Sequence, residues 1–193
     1  MEITFRDAVT VVHGMFFGAL LLLGFSGAVA ILYATSAARE AWTPTRTQLR
    51  ALTLYLVLMA GLAWVAVLLG AYVVYPWYRA VAPPGTVALG AYPQRLLMSN
   101  PLTSGWHDIG MEWKEHIAWF APIALTAAAA IFGRYGAQLR ALQALRRALF
   151  GLVLLAFACA GVAGFFGAML NKYAPVRGGS NVILMRGDPL GCG

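Results

Sequence analysis

Four long stretches of this chain are almost free of charge, and they decide which solvent the fold is built for. Residues 9–35 contain His13 as their only histidine and no Asp, Glu, Lys or Arg, and residues 51–78, 117–133 and 148–171 contain none of these five residue types. A helix needs about 20 apolar residues to cross the hydrocarbon core of a bilayer. Three stretches meet that length alone, and the third reaches it when extended back through Trp113 to about residue 110. Open sheets cannot cross lipid, because their edge groups lack partners there, and barrel strands alternate polar with apolar residues, which these stretches do not. Only 11% of the residues are charged and the mean hydropathy is +0.72, against about 25% charged in a soluble domain. The expected fold is an all-α integral membrane protein, a four-transmembrane-helix bundle forming one domain over residues 1–193. Its helices are expected at about 9–35, 51–78, 110–133 and 148–171, with an outer loop at 79–109 and a C-terminal tail at 172–193.

Charge asymmetry orients the bundle. The connection after the first stretch carries Arg39, Arg46 and Arg50 against Glu40, and the connection after the third carries Arg134, Arg140, Arg146 and Arg147. Short arginine-rich loops stay cytoplasmic. Glu2, Asp7, Asp108, Glu112, Glu115 and Asp188 lie on the other side, so both termini and the long middle loop are expected outside. In a bacterial inner membrane that side is the periplasm. The first seven residues hold two acids against one base, unlike the positive start of a signal peptide. The net charge of +7 follows the topology rule, no nucleic-acid-binding motif accompanies it, and no nucleic-acid partner is expected. The two cysteines, Cys159 in the fourth stretch and Cys192 in the tail, form no CxxC or CxxCH pattern. Covalent c-type haem is thereby excluded, and Cys159 reads as a packing residue.

Chemistry is concentrated at the outer side. His13 and His116 sit where the first and third stretches begin, and both stretches run inward, so the two imidazoles share a depth. Imidazole suits iron, and ionisable groups inside a membrane are functional candidates by default. Gly14 and Gly18 form a GxxxG spacing that serves close helix packing or clears room for a flat macrocycle beside His13. If residues 108 onward form a regular helix, Glu112 and His116 share a face, Glu115 flanks His116, and Lys114 points elsewhere. Tyr75, Trp77 and Trp113 suit the aromatic belt of an interface or the wall of a quinone headgroup pocket, and Asp108, Glu112 and Glu115 are candidate proton acceptors. His107 reads as a loop histidine. The pairs His107 with Met111 and His13 with Met15 leave copper open, and a single outer histidine leaves a chlorin magnesium open. The Glu-x-x-His pattern of di-iron bundles is absent, since Trp113 stands three residues before His116.

The four stretches, with His13 and His116 at matching depth, resemble the small four-helix membrane b-type cytochromes. That resemblance implies one haem b held by His13 and His116 near the periplasmic face, with Gly14, Gly18 and Trp113 around it. It implies electron transfer between quinol and a redox partner, in a larger respiratory or photosynthetic complex. The expected partners are other membrane subunits and a periplasmic redox protein. With two candidate ligands the chain accommodates at most one bis-histidine haem, too few to carry electrons across a core about 30 Å thick. A different class stays open beside this one: a cofactor-free structural or assembly subunit whose outer loop and tail dock other chains. A transporter is disfavoured by the lack of charged or broken helices at mid-depth.

Overall fold

The computed structural model of the chain describes residues 2–37 and 44–183. Arg39, Glu40, Asp188 and Cys192, used in the sequence reading, lie outside the described residues. Four helices are long and apolar enough to cross a membrane, at Phe5–Ala30, Arg46–Tyr78, Pro101–Gln138 and Gln143–Tyr173, and the first continues helically to Ala37. In finer detail the elements are strand β1 (Glu2–Thr4) and helices α1 (Phe5–Val11), α2 (Ala19–Ala37), α3 (Arg46–Leu69), α4 (Tyr75–Tyr78), α5 (Pro93–Met98), α6 (Pro101–Glu112), α7 (Phe120–Tyr135) and α8 (Gln143–Tyr173), followed by strand β2 (Asn181–Ile183). The first long helix packs on the second and fourth, and the third packs on the same two. The first and third therefore stand diagonally across the bundle.

Local chemistry sets the helix ends. Thr4 caps α1: its hydroxyl accepts from Asp7 N (3.2 Å), while the Asp7 carboxylate accepts from Thr4 N (3.2 Å) and Thr4 Oγ1 (2.7 Å). This reciprocal box satisfies donors that a helix start leaves free, and it gives Asp7 a structural task. Thr45 and Gln48 form the same box at the start of α3. Asn100 caps α6, accepting from Leu102 N at 2.9 Å, with Pro101 in the first turn. The third long helix consequently begins at Pro101 rather than near residue 110. The segment expected as an outer loop at 79–109 thus contains α5 and most of α6. The fourth long helix likewise runs through Tyr173, into the expected tail.

The core is built from small and branched residues. Leu21, Phe25 and Ala28 of α2, Met59 and Ala63 of α3, Leu125, Ala128 and Phe132 of α7, and Leu149, Val153 and Ala156 of α8 are all buried together. Alanines at the contacts let the backbones approach closely, so dispersion rather than hydrophobic transfer holds such a bundle in lipid. Cys159 is buried in this core as a free thiol. The large side chains on the other faces, such as Leu54, Val57, Leu58 and Phe157, are exposed. A second, smaller core lies where α5 packs over the ends of α4, α6 and α8 and caps the bundle, formed by Tyr78, Leu97, Met111, Leu170, Ala174 and Val176.

Both ends of the described chain meet at that capped end. β1 pairs with β2 in antiparallel register, Ile3 opposite Val182. Phe5 N donates to Ser180 O (2.9 Å), Arg6 N to Gly178 O (3.1 Å) and Gly178 N to Thr4 Oγ1 (3.0 Å). Gly178 and Gly179 adopt positive φ of 124° and 84° to make this turn, a conformation that glycine adopts at least cost.

Candidate functional site

Three helical irregularities gather at the capped end. The first long helix is π-helical over Val12–Gly18, the second over Gly70–Val74 and the third over Trp113–Ile117. Such insertions rotate the side chains that follow them and recur at functional sites. Contacts place these three near one level: His13 abuts Gly70, and Tyr75, directly after the second irregularity, donates to Glu115 in the third.

His13 turns inward against the second long helix. A Cβ built on Gly70 would stand 2.8 Å from its Cε1 and 3.2 Å from its Nε2, so the glycine is what admits the ring. Its Nδ1 is buried with no hydrogen-bond partner. A buried polar atom without a partner is uncommon and costly.

His116 has different surroundings. Its Nδ1 donates to the Glu112 carbonyl (3.1 Å) and lies 3.3 Å from Glu112 Oε2, with the two side chains 66% and 75% exposed. The helix places it there. Positions two apart point to nearly opposite sides, and it is Lys114 that faces the interior. His13 and His116 thus start on diagonal helices, and one ring faces the interior while the other faces outward. They share a level, as their sequence positions suggest, but this arrangement does not fit one haem b bridged by both. Nothing stands against Gly14 within 4 Å, and Gly18 has only the His13 carbonyl, at 4.0 Å. The GxxxG spacing therefore serves no close helix contact among the described residues. Trp113 donates from Nε1 to the Cys159 carbonyl (3.2 Å) and tilts against Phe166. It ties the third long helix to the fourth.

The quinone and proton-transfer candidates divide into groups. Tyr75 and Glu115, from the second and third long helices, come together: the Tyr75 hydroxyl donates to Glu115 Oε1 at 2.7 Å and accepts from Arg79 Nη1 at 2.7 Å. The Tyr75 hydroxyl, and then the charges around it, hold the exposed Arg79 guanidinium above its ordinary pKa. Trp77 lies elsewhere, with Phe5 edge-on to its ring and Arg6 stacked over it at 5.4 Å. Asp108 and Glu112 are exposed. His107 is a fastener. Gln94 Nε2 donates to its Nε2 (3.4 Å), its Nδ1 shares a 2.7 Å hydrogen bond with the buried Tyr78 hydroxyl, and the two rings stack. Met111 is buried in the smaller core and Met15 is 68% exposed. Among the described residues no three of His, Cys, Asp and Glu form a metal-sized cluster.

Lys114 points away from the face shared by Glu112 and His116, as its spacing implies, and that face proves to be the exposed one. Its ammonium lies against the backbone of the fourth long helix, where a Cβ on Gly167 would stand 3.2 Å from Nζ. The signal was present. Gly110, Ala118, Ala121, Leu125 and Ala128 are buried, and Lys114 sits four residues from each of the first two. It continues the interior stripe of its own helix.

The fold defines an all-helical protein with four helices long and apolar enough to span a bilayer, and with a polar centre toward its capped end. Compared with family models, with curated proteins and with solved structures, the chain matches none.

Proposed function

We propose that this chain is an integral membrane subunit of a larger respiratory or photosynthetic electron-transfer assembly, and that it meets a membrane quinone or quinol at its capped end. In this reading it lies in a bacterial inner membrane with both termini in the periplasm. Arg46, Arg50, Arg134, Arg140, Arg146 and Arg147 at the opposite end support that orientation. The observation that carries the functional reading is the Tyr75–Glu115 hydrogen bond with Arg79 attached. The Arg79 guanidinium, and the Tyr75 phenol once turned from Glu115, offer donors to a quinone carbonyl, and the Glu115 carboxylate offers an acceptor to a quinol hydroxyl. A carboxylate one hydrogen bond from a quinol hydroxyl can also accept its proton. The electrons would pass to a redox centre in a neighbouring subunit or a periplasmic redox protein.

Titration of the purified chain in lipid nanodiscs with a short-tailed quinone, followed by tryptophan fluorescence, tests this. Binding is expected to weaken at least about tenfold in Tyr75→Phe and in Glu115→Gln, because a hydrogen bond to a charged group contributes about 1.5–3 kcal/mol. Unchanged titrations in both variants would overturn the reading. A reduced-minus-oxidised spectrum of the same preparation addresses the haem: a b-type band lost in His13→Ala would return haem to the site.

The second reading is a cofactor-free structural subunit. One observation favours it: His107 is consumed as a tie between α4, α5 and α6, which is how a docking cap would be stiffened. A chain that neither binds quinone nor shows a haem band supports that reading.

A further inference from the structure

We infer that the end of the bundle opposite the cap binds anionic phospholipid, with arginines on the headgroup phosphates and the acyl chains along two exposed helix stripes. The inference rests on the membrane-spanning part of the proposed function and on none of its redox chemistry.

Six described arginines stand at this end. Arg46 and Arg50 lie in the first turns of α3, Arg134 in the last turn of α7, Arg140 in the connection that follows, and Arg146 and Arg147 in the first turns of α8. Packing sets these helix ends side by side. A Cβ on Gly136 would stand 3.3 Å from Leu49 Cδ2, one on Gly133 would stand 3.3 Å from Thr53 Cγ2, and Leu139 and Leu149 share the main core. Arg146 is half-buried and the other five are exposed. Over residues 39–50 and 134–147 the sequence holds seven arginines and one acid, Glu40. Among the described residues none of the six makes an ion pair, and Arg134 alone has a ring partner, Tyr135 at 5.9 Å. Like charges gathered on one surface repel, and an external anion relieves that repulsion. Retention of a loop needs positive charge alone, which lysine supplies as well. A guanidinium adds a planar fork of donors that fits phosphate oxygens two at a time.

The surfaces beneath the arginines determine what carries that phosphate. On α3, Arg46, Arg50, Leu54 and Leu58 recur every four residues, share a face and are exposed. At 1.5 Å per residue Leu58 lies about 12 Å from Arg50, against a hydrocarbon depth of about 15 Å for one leaflet. On α8, Arg147, Gly151 and Leu155 repeat the spacing and are exposed, and a Cβ on Gly151 would meet nothing within 4 Å. Each stripe holds a cation at headgroup level and apolar surface below it, which is the division of a phospholipid itself. An acidic protein or a free phosphate would use the guanidinium groups and leave the stripes bare.

The test uses the full chain in a neutral detergent holding equimolar phosphatidylglycerol and phosphatidylcholine, with bound lipid counted by native mass spectrometry. Each cation beside an anionic lipid surface contributes about fivefold in affinity, so phosphatidylglycerol is expected to exceed phosphatidylcholine on the chain at least about fivefold. Arg46→Gln, Arg50→Gln, Arg146→Gln and Arg147→Gln combined should bring the two lipids to parity. The same four positions changed to lysine should keep a preference for phosphatidylglycerol, which together with unaltered helical circular dichroism shows that the fold survives. Arg95→Gln with Arg177→Gln, at the capped end, should leave the preference as it was. Equal binding of the two lipids by the unaltered chain overturns the inference, and so does a preference that persists in the fourfold glutamine variant. Soluble glycerol phosphate or polyglutamate that displaces the phosphatidylglycerol at equimolar ratio would also overturn it, assigning the arginines to a free phosphate or to an acidic protein. A chain that retains neither lipid counts against the membrane-spanning reading as well. Loss of quinone binding in Tyr75→Phe leaves the lipid count unaffected, so the redox reading fails separately.

Discussion

The two halves of the bundle are built by opposite rules. Away from the capped end, the packed residues are Phe25, Ala28, Leu125, Ala128, Phe132, Leu149, Val153 and Ala156, all buried and all apolar, carried on regular α-helix. At the capped end three of the four long helices break into π-helix and admit His13, Lys114 and the Tyr75–Glu115–Arg79 chain. Irregular backbone and polar side chains occur together. The regular half stores the cohesion of the molecule, and the irregular half gives some of it up to hold groups that apolar packing would exclude.

That division can be broken most forcefully in the regular half. Leu125 is fully buried, and Leu125→Ala is expected to cost about 2–5 kcal/mol, read as a lowered midpoint of heat or detergent unfolding of the purified chain. An unmoved midpoint would show that the capped end holds the bundle instead. A paired glycine comparison sharpens the boundary between the halves. Gly70→Ala forces a Cβ to 2.8 Å from His13 and should cost about 1–3 kcal/mol. Gly61→Ala, on the same long helix with nothing within 4 Å, should be neutral or stabilising by up to about 1 kcal/mol through helix propensity. Equal effects at both would mean that His13 does not press on the second long helix. The smallest effect is expected at His116. Its partnership with Glu112 is exposed, so His116→Ala should change stability by less than about 0.5 kcal/mol. A larger loss would show that His116 has a partner beyond Glu112.

The regular half was legible in the sequence because a bilayer-length apolar run has few alternatives. The four long helices follow from it directly. The capped end was legible in its parts but not in its arrangement. His13 and His116 do lie at a common level, and Tyr75 and Glu115, each singled out separately, do meet. What composition could not supply was rotation. A π-helical insertion changes which residue faces inward, and His116, expected toward the interior, is exposed beside Glu112. The stripe through Gly110, Ala118, Ala121 and Leu125, extended backwards, marks the Lys114 face as the inward one. The early start of the third long helix was also available in Asn100–Pro101, a side-chain cap followed by a residue preset for a first helical turn. The diagonal placement of the first and third long helices had no sequence signal, since it depends on which faces pack.

The pairing of β1 with β2 sets a clock as well as a shape. Residues 2–4 leave the ribosome about 180 positions ahead of residues 181–183, so β1 waits for its partner through the synthesis of all four long helices. Until then Thr4 lacks the Gly178 amide that its hydroxyl accepts, and Arg6 and Phe5 lack the carbonyls of Gly178 and Ser180. Closure of this small sheet is therefore a completion mark. It can form only on a chain whose last long helix has been made and has returned to the side where the first began. A chain stopped before its last long helix is made leaves that strand without its partner.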